Sequence, residues 1–202
     1  MRYLLISITV LLVGCASYPK KQKLTVLDTG KQALSIPYFS NPETDYVYKA
    51  GIDVFDNHFS GLLIVKKTDE NTHRVAFTTE MGSKIFDFSF HENLFTINYI
   101  QDDLNRKLLL KILEQDFRTL VSENPTIVKG YTLENNSVLE GTINGETHYF
   151  YLDGTGQLVK TVFPKKGKAS ITYSFSKINS DIAREIIINH QSFNLKIILK
   201  SI

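Results

Sequence analysis

The sequence predicts a mainly β fold with helical cover, an α+β chain of about eleven antiparallel strands and one main helix. Three observations predict it. Strand formers are abundant, with 13 Phe and 10 Tyr beside many Ile, Val and Thr and no Trp. Short apolar or alternating segments recur along the chain, separated by tight-turn residues. One longer segment in the middle repeats its apolar residues at helical spacing.

At 202 residues, 43% of them hydrophobic, the chain suits one domain with a substantial core and is too apolar for general disorder. The near balance of 23 Lys and Arg against 21 Asp and Glu speaks against a nucleic-acid binder, whose phosphate-tracking surface needs a basic excess.

Residues 1–14 read as an export signal. Met1 and Arg2 give a short positive start, and Tyr3 to Val13 is an apolar run too short to span a bilayer. Leu12-Val13-Gly14-Cys15 then resembles the lipobox of bacterial lipoproteins, which makes Cys15, the only cysteine, the acylated first residue of the mature chain. The alternative is an ordinary signal peptide with a chance cysteine. Residues 15–42 hold Lys20, Lys21, Lys23, Pro19, Pro37 and Pro42 without sustained periodicity and read as a tether. Its lysines either touch anionic lipid or are simply solvated. Ala16 follows the cysteine with no acidic pair, which favours the outer membrane and its periplasmic face. Residues 43–202 form the body.

In the body, Tyr46 to Phe55, Phe59 to Lys67, Arg74 to Thr79, Lys84 to Phe90 and Leu94 to Ile100 make a meander joined by short polar turns. Alternation is clearest where Phe86, Phe88 and Phe90 share one face with Asp87 and Ser89 on the other. The same rule puts Phe95, Ile97 and Tyr99 on one side of the next strand. Leu62 to Val65 is apolar on both sides and should be covered twice, in a central strand.

Asp102-Asp103 offers an N-cap, and Leu104 to Val121 runs at helical spacing, with Leu109, Ile112 or Leu113, Phe117 and Leu120 on one face. Pro125 prevents its continuation. Seven further strand segments follow: Thr126 to Leu133, Ser137 to Ile143, Thr147 to Leu152, Gln157 to Phe163, Ala169 to Ser176, Ile182 to Asn189 and Phe193 to Lys200. Asn144-Gly145 and Asp153-Gly154 supply strong hairpin signals. A sheet this large curls, and a helix with so broad an apolar stripe lies on it as a lid.

Catalytic and cofactor motifs are lacking. The five histidines are dispersed one per segment without metal-ligand spacing, so no metal is expected. Gly154-Thr155-Gly156 falls between strands and is no dinucleotide fingerprint. Ser83 lacks the nucleophile elbow. The expectation is a protein that is not an enzyme and takes no cofactor.

The lipobox at Cys15, the strand Phe59-Ser60-Gly61-Leu62-Leu63-Ile64-Val65, the segment from Arg74 to Phe88 with Met81-Gly82-Ser83 at its turn, and the helix near Leu104 together resemble the LolA/LolB family of lipoprotein carriers, and within it the LolB-like outer-membrane receptors. The resemblance implies an incomplete antiparallel barrel with a helical lid over an apolar cavity. It implies that Phe86, Phe88, Phe90, Phe95, Ile97 and Tyr99, with Leu109, Leu113 and Phe117 of the helix, bind acyl chains. Met81 and Gly82 would form the loop that hands cargo to the membrane. The implied partners are the acyl chains of lipoproteins or another lipid and a periplasmic LolA-like carrier, with the protein itself a monomer. The missing tryptophans depart from the family pattern. A filled core beneath the same sheet is the other reading of the aromatic face, and it suits an interaction lipoprotein that binds a protein partner in the cell envelope.

Overall fold

A computed structural model describes residues 17–27, 32–134 and 136–202. The signal segment and Cys15 lie outside the described residues.

The twelve strand segments expected from the sequence all form. They are β2 (Asp45–Val54), β3 (Asn57–Asp69), β4 (Thr72–Thr78), β5 (Lys84–His91), β6 (Leu94–Ile100), β7 (Thr126–Leu133), β8 (Asn136–Ile143), β9 (Glu146–Leu152), β10 (Leu158–Lys165), β11 (Lys168–Asn179), β12 (Ile182–His190) and β13 (Leu195–Ser201). A thirteenth, β1 (Thr25–Leu27), comes from the expected tether. All belong to one antiparallel sheet in the order β1-β7-β8-β9-β10-β11-β12-β13-β2-β3-β4-β5-β6. The chain closes the meander on itself by pairing β13 with β2, Leu195 opposite Val54, and leaves β1 and β6 as free edges. The sheet is an open barrel.

Irregularities in the ladder help it curl. Register shifts occur in β10 near Phe163 and Pro164, in β4 after Phe77, and in β6 opposite Asp87 and Phe88. Gly61 is needed for the close approach of β3 to β4, since a Cβ there would collide with the Thr78 carbonyl oxygen.

The concave face carries the main core. Tyr48, Leu63, Val65, Val75, Phe77, Phe86, Phe88, Ile186, Ile188 and Ile197 are all buried on it. Helix α2 (Lys107–Leu120) covers this face with Leu109, Ile112, Leu113, Phe117 and Leu120. On β3, Leu63 and Val65 are buried but Leu62 and Ile64 on the other side are only half-buried, and the strand lies toward one end of the sheet order. Double coverage of that strand therefore does not hold.

The described part of residues 15–42 is not a free tether. Ile36, Tyr38 and Phe39 enter the main core, where the Tyr38 hydroxyl donates to the Leu158 carbonyl at 2.7 Å and the Ile36 amide to that of Glu123 at 2.7 Å. Short helix α1 (Tyr18–Lys21) packs on the opposite, convex face, where Tyr18 joins Tyr131, Val138, Tyr149, Tyr151 and Val162 in a second cluster. The Tyr18 and Tyr151 hydroxyls are 2.8 Å apart. Scattered apolar residues between prolines and lysines are too sparse to show a period, yet Tyr18, Ile36, Tyr38 and Phe39 fill sites on one face or the other of the sheet.

Candidate functional site

The candidate site lies between α2 and the concave face. Phe86 stacks on Phe88 at 4.6 Å and meets the Phe117 ring of α2 at 5.4 Å, with Phe77 on its far side at 5.4 Å. Phe95 stands edge-on to Phe88 at 5.2 Å and beside Phe90 at 5.3 Å. The structure thus brings together seven of the nine expected acyl-contact residues: Phe86, Phe88, Phe90 and Phe95 from the sheet, and Leu109, Leu113 and Phe117 from the helix. The rings pack in a row, and Leu109 and Leu113 are buried with them in the same core. The space under the helix is filled by the helix's own stripe.

Two expected residues fall elsewhere. Ile97 is 41% exposed and Tyr99 is 44% exposed. For Tyr99 the cause is a bulge: Asp87 pairs with Tyr99 while Phe88 pairs with Ile97, so Asn98 is an extra residue and alternation reverses beyond it. Tyr99 therefore shares the outer face with Asp87, beneath the Lys84 ammonium at 5.9 Å, and Ile100 takes the inward position opposite Phe86. Ile97 keeps the inward parity but sits on the free edge strand.

Two clefts open at the ends of α2. Near its N-terminus a cleft of about 320 Å³ is lined by Val54, Phe55, Phe59, Leu104 and Leu109, with Arg106 and Asp103 at its polar side. Near its C-terminus a cleft of about 470 Å³ is lined by Lys67, His73, Arg118, Glu123, Phe90 and Ile143 among others. Lys67 donates to Glu123 at 2.9 Å and His73 lies 3.1 Å from the same carboxylate. The first cleft is the more apolar in its residues and suits a hydrocarbon chain; the second is lined largely by charged and polar groups.

The two ends of α2 are held very differently. The expected cap at Asp102-Asp103 forms a separate 3₁₀ turn (Asp102–Leu104), and the helix proper begins after Arg106, which makes no side-chain capping bond. Its first turn has no acidic residue and carries Lys107, so the helix dipole is uncompensated there. Toward the other end, polar bonds fasten the helix to the sheet. His190 Nε2 of β12 donates to Asp116 at 2.8 Å, and the Tyr173 hydroxyl donates to the same carboxylate at 3.1 Å. Arg118 donates to the Glu92 carbonyl at 2.7 Å and to that of Asn93 at 3.2 Å. Thr119 meets His148 Nε2 at 3.2 Å.

Burial sets the protonation of these groups. It raises the Asp116 carboxyl above the ordinary range, against the lowering effect of His190 and Tyr173. It lowers the His148 imidazole to about 4. Because Nδ1 of His148 donates to the Glu146 carbonyl at 2.9 Å, Nε2 of the neutral ring is left to accept from Thr119. The sequence reading missed this latch. Its one signal was an aspartate inside the apolar stripe, Asp116 beside Phe117 and between Leu113 and Leu120.

The loop singled out at Met81 and Gly82 sits at the β4–β5 turn. Met81 is 96% exposed and does not fold back on the core, and Gly82 adopts φ +87°. Among the described residues no cluster of three or more His, Cys, Asp or Glu side chains could hold a metal ion. No helix among them is long and apolar enough to cross a membrane.

No family model matches the sequence, and no curated protein matches it. Solved structures do. A LolA superfamily protein from Nitrosomonas europaea aligns over 83% of this chain and 88% of its own, with a TM-score of 0.51 and 9% identity. A DUF1329 family protein from Desulfovibrio piger gives a TM-score of 0.44 at 8% identity, over 78% and 83% of the two chains. A protein described as a putative outer membrane lipoprotein-sorting protein domain from Vibrio parahaemolyticus gives 0.38 at 12% identity, with the same coverage. The first of these shares the fold of this chain, an open antiparallel sheet covered by a helix.

Proposed function

We propose that the protein is a non-enzymatic carrier or receptor, lipid-anchored through Cys15 to the periplasmic face of the outer membrane. It accepts the acyl chains of lipoproteins, or a related amphiphile, from a LolA-like donor and delivers them to the membrane. The observation that carries this reading is the unequal fastening of α2: a lid with an aromatic underside, latched at its C-terminal end and uncapped at the other over an apolar cleft. Raising the N-terminal end would open the stacked phenylalanines from the cleft at Leu109 inward while the Asp116 latch holds. Each buried methylene contributes about 0.8 kcal/mol, so cargo burial offsets the opening of the lid, and a more apolar destination suffices for release. Met81, exposed at the β4–β5 turn, is the handover residue.

The test is native mass spectrometry of the folded chain with a diacylated peptide. A one-to-one complex is expected, weakened in Phe59→Glu, whose half-buried side chain lines the cleft, with circular dichroism checking that the variant folds. A folded wild type that binds no acylated peptide would sink the proposal.

A second reading, an envelope lipoprotein that binds a protein partner, is favoured by the free edge β6, which exposes Leu94, Ile97 and Tyr99. It predicts that Thr96→Pro abolishes capture of one dominant protein and leaves acyl-peptide binding intact.

A further inference from the structure

The strand order sorts the hairpin turns into two edges. Because β13 runs antiparallel to β2 with Leu195 opposite Val54, the β12–β13, β2–β3 and β4–β5 turns lie side by side on one edge. Each of these neighbouring tips exposes one large apolar side chain: Phe193, Phe55 and Met81. The first two tips are clamped together, the Phe55 amide donating to the Asn194 carbonyl at 2.7 Å and the Asn194 side-chain amide to the Phe55 carbonyl at 2.8 Å. Phe55 holds its exposed ring at φ +52°, a left-handed position that Gly or Asn normally fills.

Next along the same edge comes the β10–β11 turn, with Lys165, Lys166 and Lys168. It adjoins the β12–β13 turn through the Gln191 amide and the Ser170 carbonyl, 2.9 Å apart, and adjoins α1 through Lys21, which donates to the Lys166 carbonyl at 3.3 Å. Asp56 and Glu80 are the acids of the three apolar tips, and Glu80 is paired with Lys49 at 3.4 Å. The turns of the opposite edge carry Glu70, Glu92, Glu134, Asp153 and Asp181 and no Lys or Arg. One edge is therefore apolar and basic, the other acidic.

We infer that the apolar and basic edge is a membrane-contacting rim. The clamped Phe55 and Phe193 tips sink into the boundary between headgroups and acyl chains of an anionic phospholipid bilayer, and the lysine turn meets the phosphates. The acidic edge faces away from the anionic surface. Phe55 also lines the cleft at the N-terminus of α2, so the rim brings the mouth of that cleft to the lipid. The inference rests on the carrier reading for its purpose, though the rim can be tested apart from it.

The chain has no tryptophan, so Phe193→Trp introduces a single reporter, with Asn71→Trp on the opposite edge as its control. The full chain is reconstituted into vesicles of phosphatidylethanolamine and phosphatidylglycerol whose acyl chains are brominated. Flotation reads the Cys15 anchor and quenching reads the rim. Quenching and a blue shift are expected for F193W and not for N71W, and the difference should shrink when phosphatidylcholine replaces phosphatidylglycerol. Equal quenching of the two, or none in either, would overturn the rim whether or not the chain floats. A quenching difference at excess lipid without flotation would support the rim and remove the anchor. Loss of acyl-peptide binding with the difference intact would remove the carrier reading alone.

Discussion

The Asp116 carboxylate on α2 and the His190 imidazole on β12 meet at 2.8 Å with both side chains almost wholly out of water. Such a pair is costly to break from one side, because the remaining partner stays buried and unmatched. His190→Leu should therefore cost about 3–5 kcal/mol in urea unfolding, while Asp116→Leu combined with His190→Leu should recover much of that loss. The single variant should also acquire a distinctive pH dependence. With the Asp116 carboxyl raised by burial in the folded state, the unfolded state releases its proton first as pH rises. Stability of His190→Leu should fall as pH rises through the carboxylate range.

His148 gives the wild type the opposite slope. Its imidazole is held at about 4, below an unfolded value of 6.5, so its contribution to stability is present above about pH 6.5 and lost as pH falls toward 4. The loss amounts to roughly 3 kcal/mol at full protonation. His148→Phe should flatten the stability profile across that window, as read by thermal melts at stepped pH.

On the convex face Asp87 is buried against Arg74, which forks onto both its oxygens at 2.8 and 2.6 Å, with Lys84 at 2.8 Å and Asn98 at 3.2 Å. The Arg74 hydrogen bonds hold the Asp87 carboxyl well below its ordinary value. Arg74 is itself half exposed, so screening limits the gain, and Arg74→Met should cost about 1 kcal/mol. The carboxylate contribution exists above the unfolded pKa and is lost as pH falls. Acid unfolding of Arg74→Met should begin at a higher pH than in the wild type.

Phe117 is fully buried between α2 and Phe86, and Phe117→Ala should cost about 3–5 kcal/mol in urea unfolding. The cavity it creates lies in the proposed acyl path. A folded Phe117→Ala chain should therefore bind a longer acylated peptide relatively better than the wild type does, by competition in native mass spectrometry.

Met81→Glu should leave the melting temperature unchanged, since the side chain touches no core. In a transfer assay it should retain bound acylated peptide and fail to pass it to vesicles.

Most of the sheet could be read from the sequence, because twelve strands follow from alternation and turn chemistry, two signals that act over a few residues. Phe86, Phe88 and Phe90 lie on the concave face where alternation puts them. Tyr99 does not, because a bulge at Asn98 changes the count of residues rather than their character, and only the pairing with β5 reveals it. The start of α2 was misplaced because Asp102-Asp103 has the chemistry of a cap but is used by a 3₁₀ turn. His148 and His190 looked dispersed because their partners are 29 and 74 residues away in the chain. Tyr18 and Tyr38 bond to Tyr151 and Leu158, 133 and 120 residues further along the chain, so nothing local marks them as core.

The docking of Tyr18 on Tyr151 determines how long a leash the molecule has. Only Ala16 separates Cys15 from Ser17, a reach of at most about 7 Å. If Cys15 carries acyl chains, the barrel cannot swing out into the periplasm to meet a donor. So anchored, it would lie flush to the surface, and traffic would have to come to it.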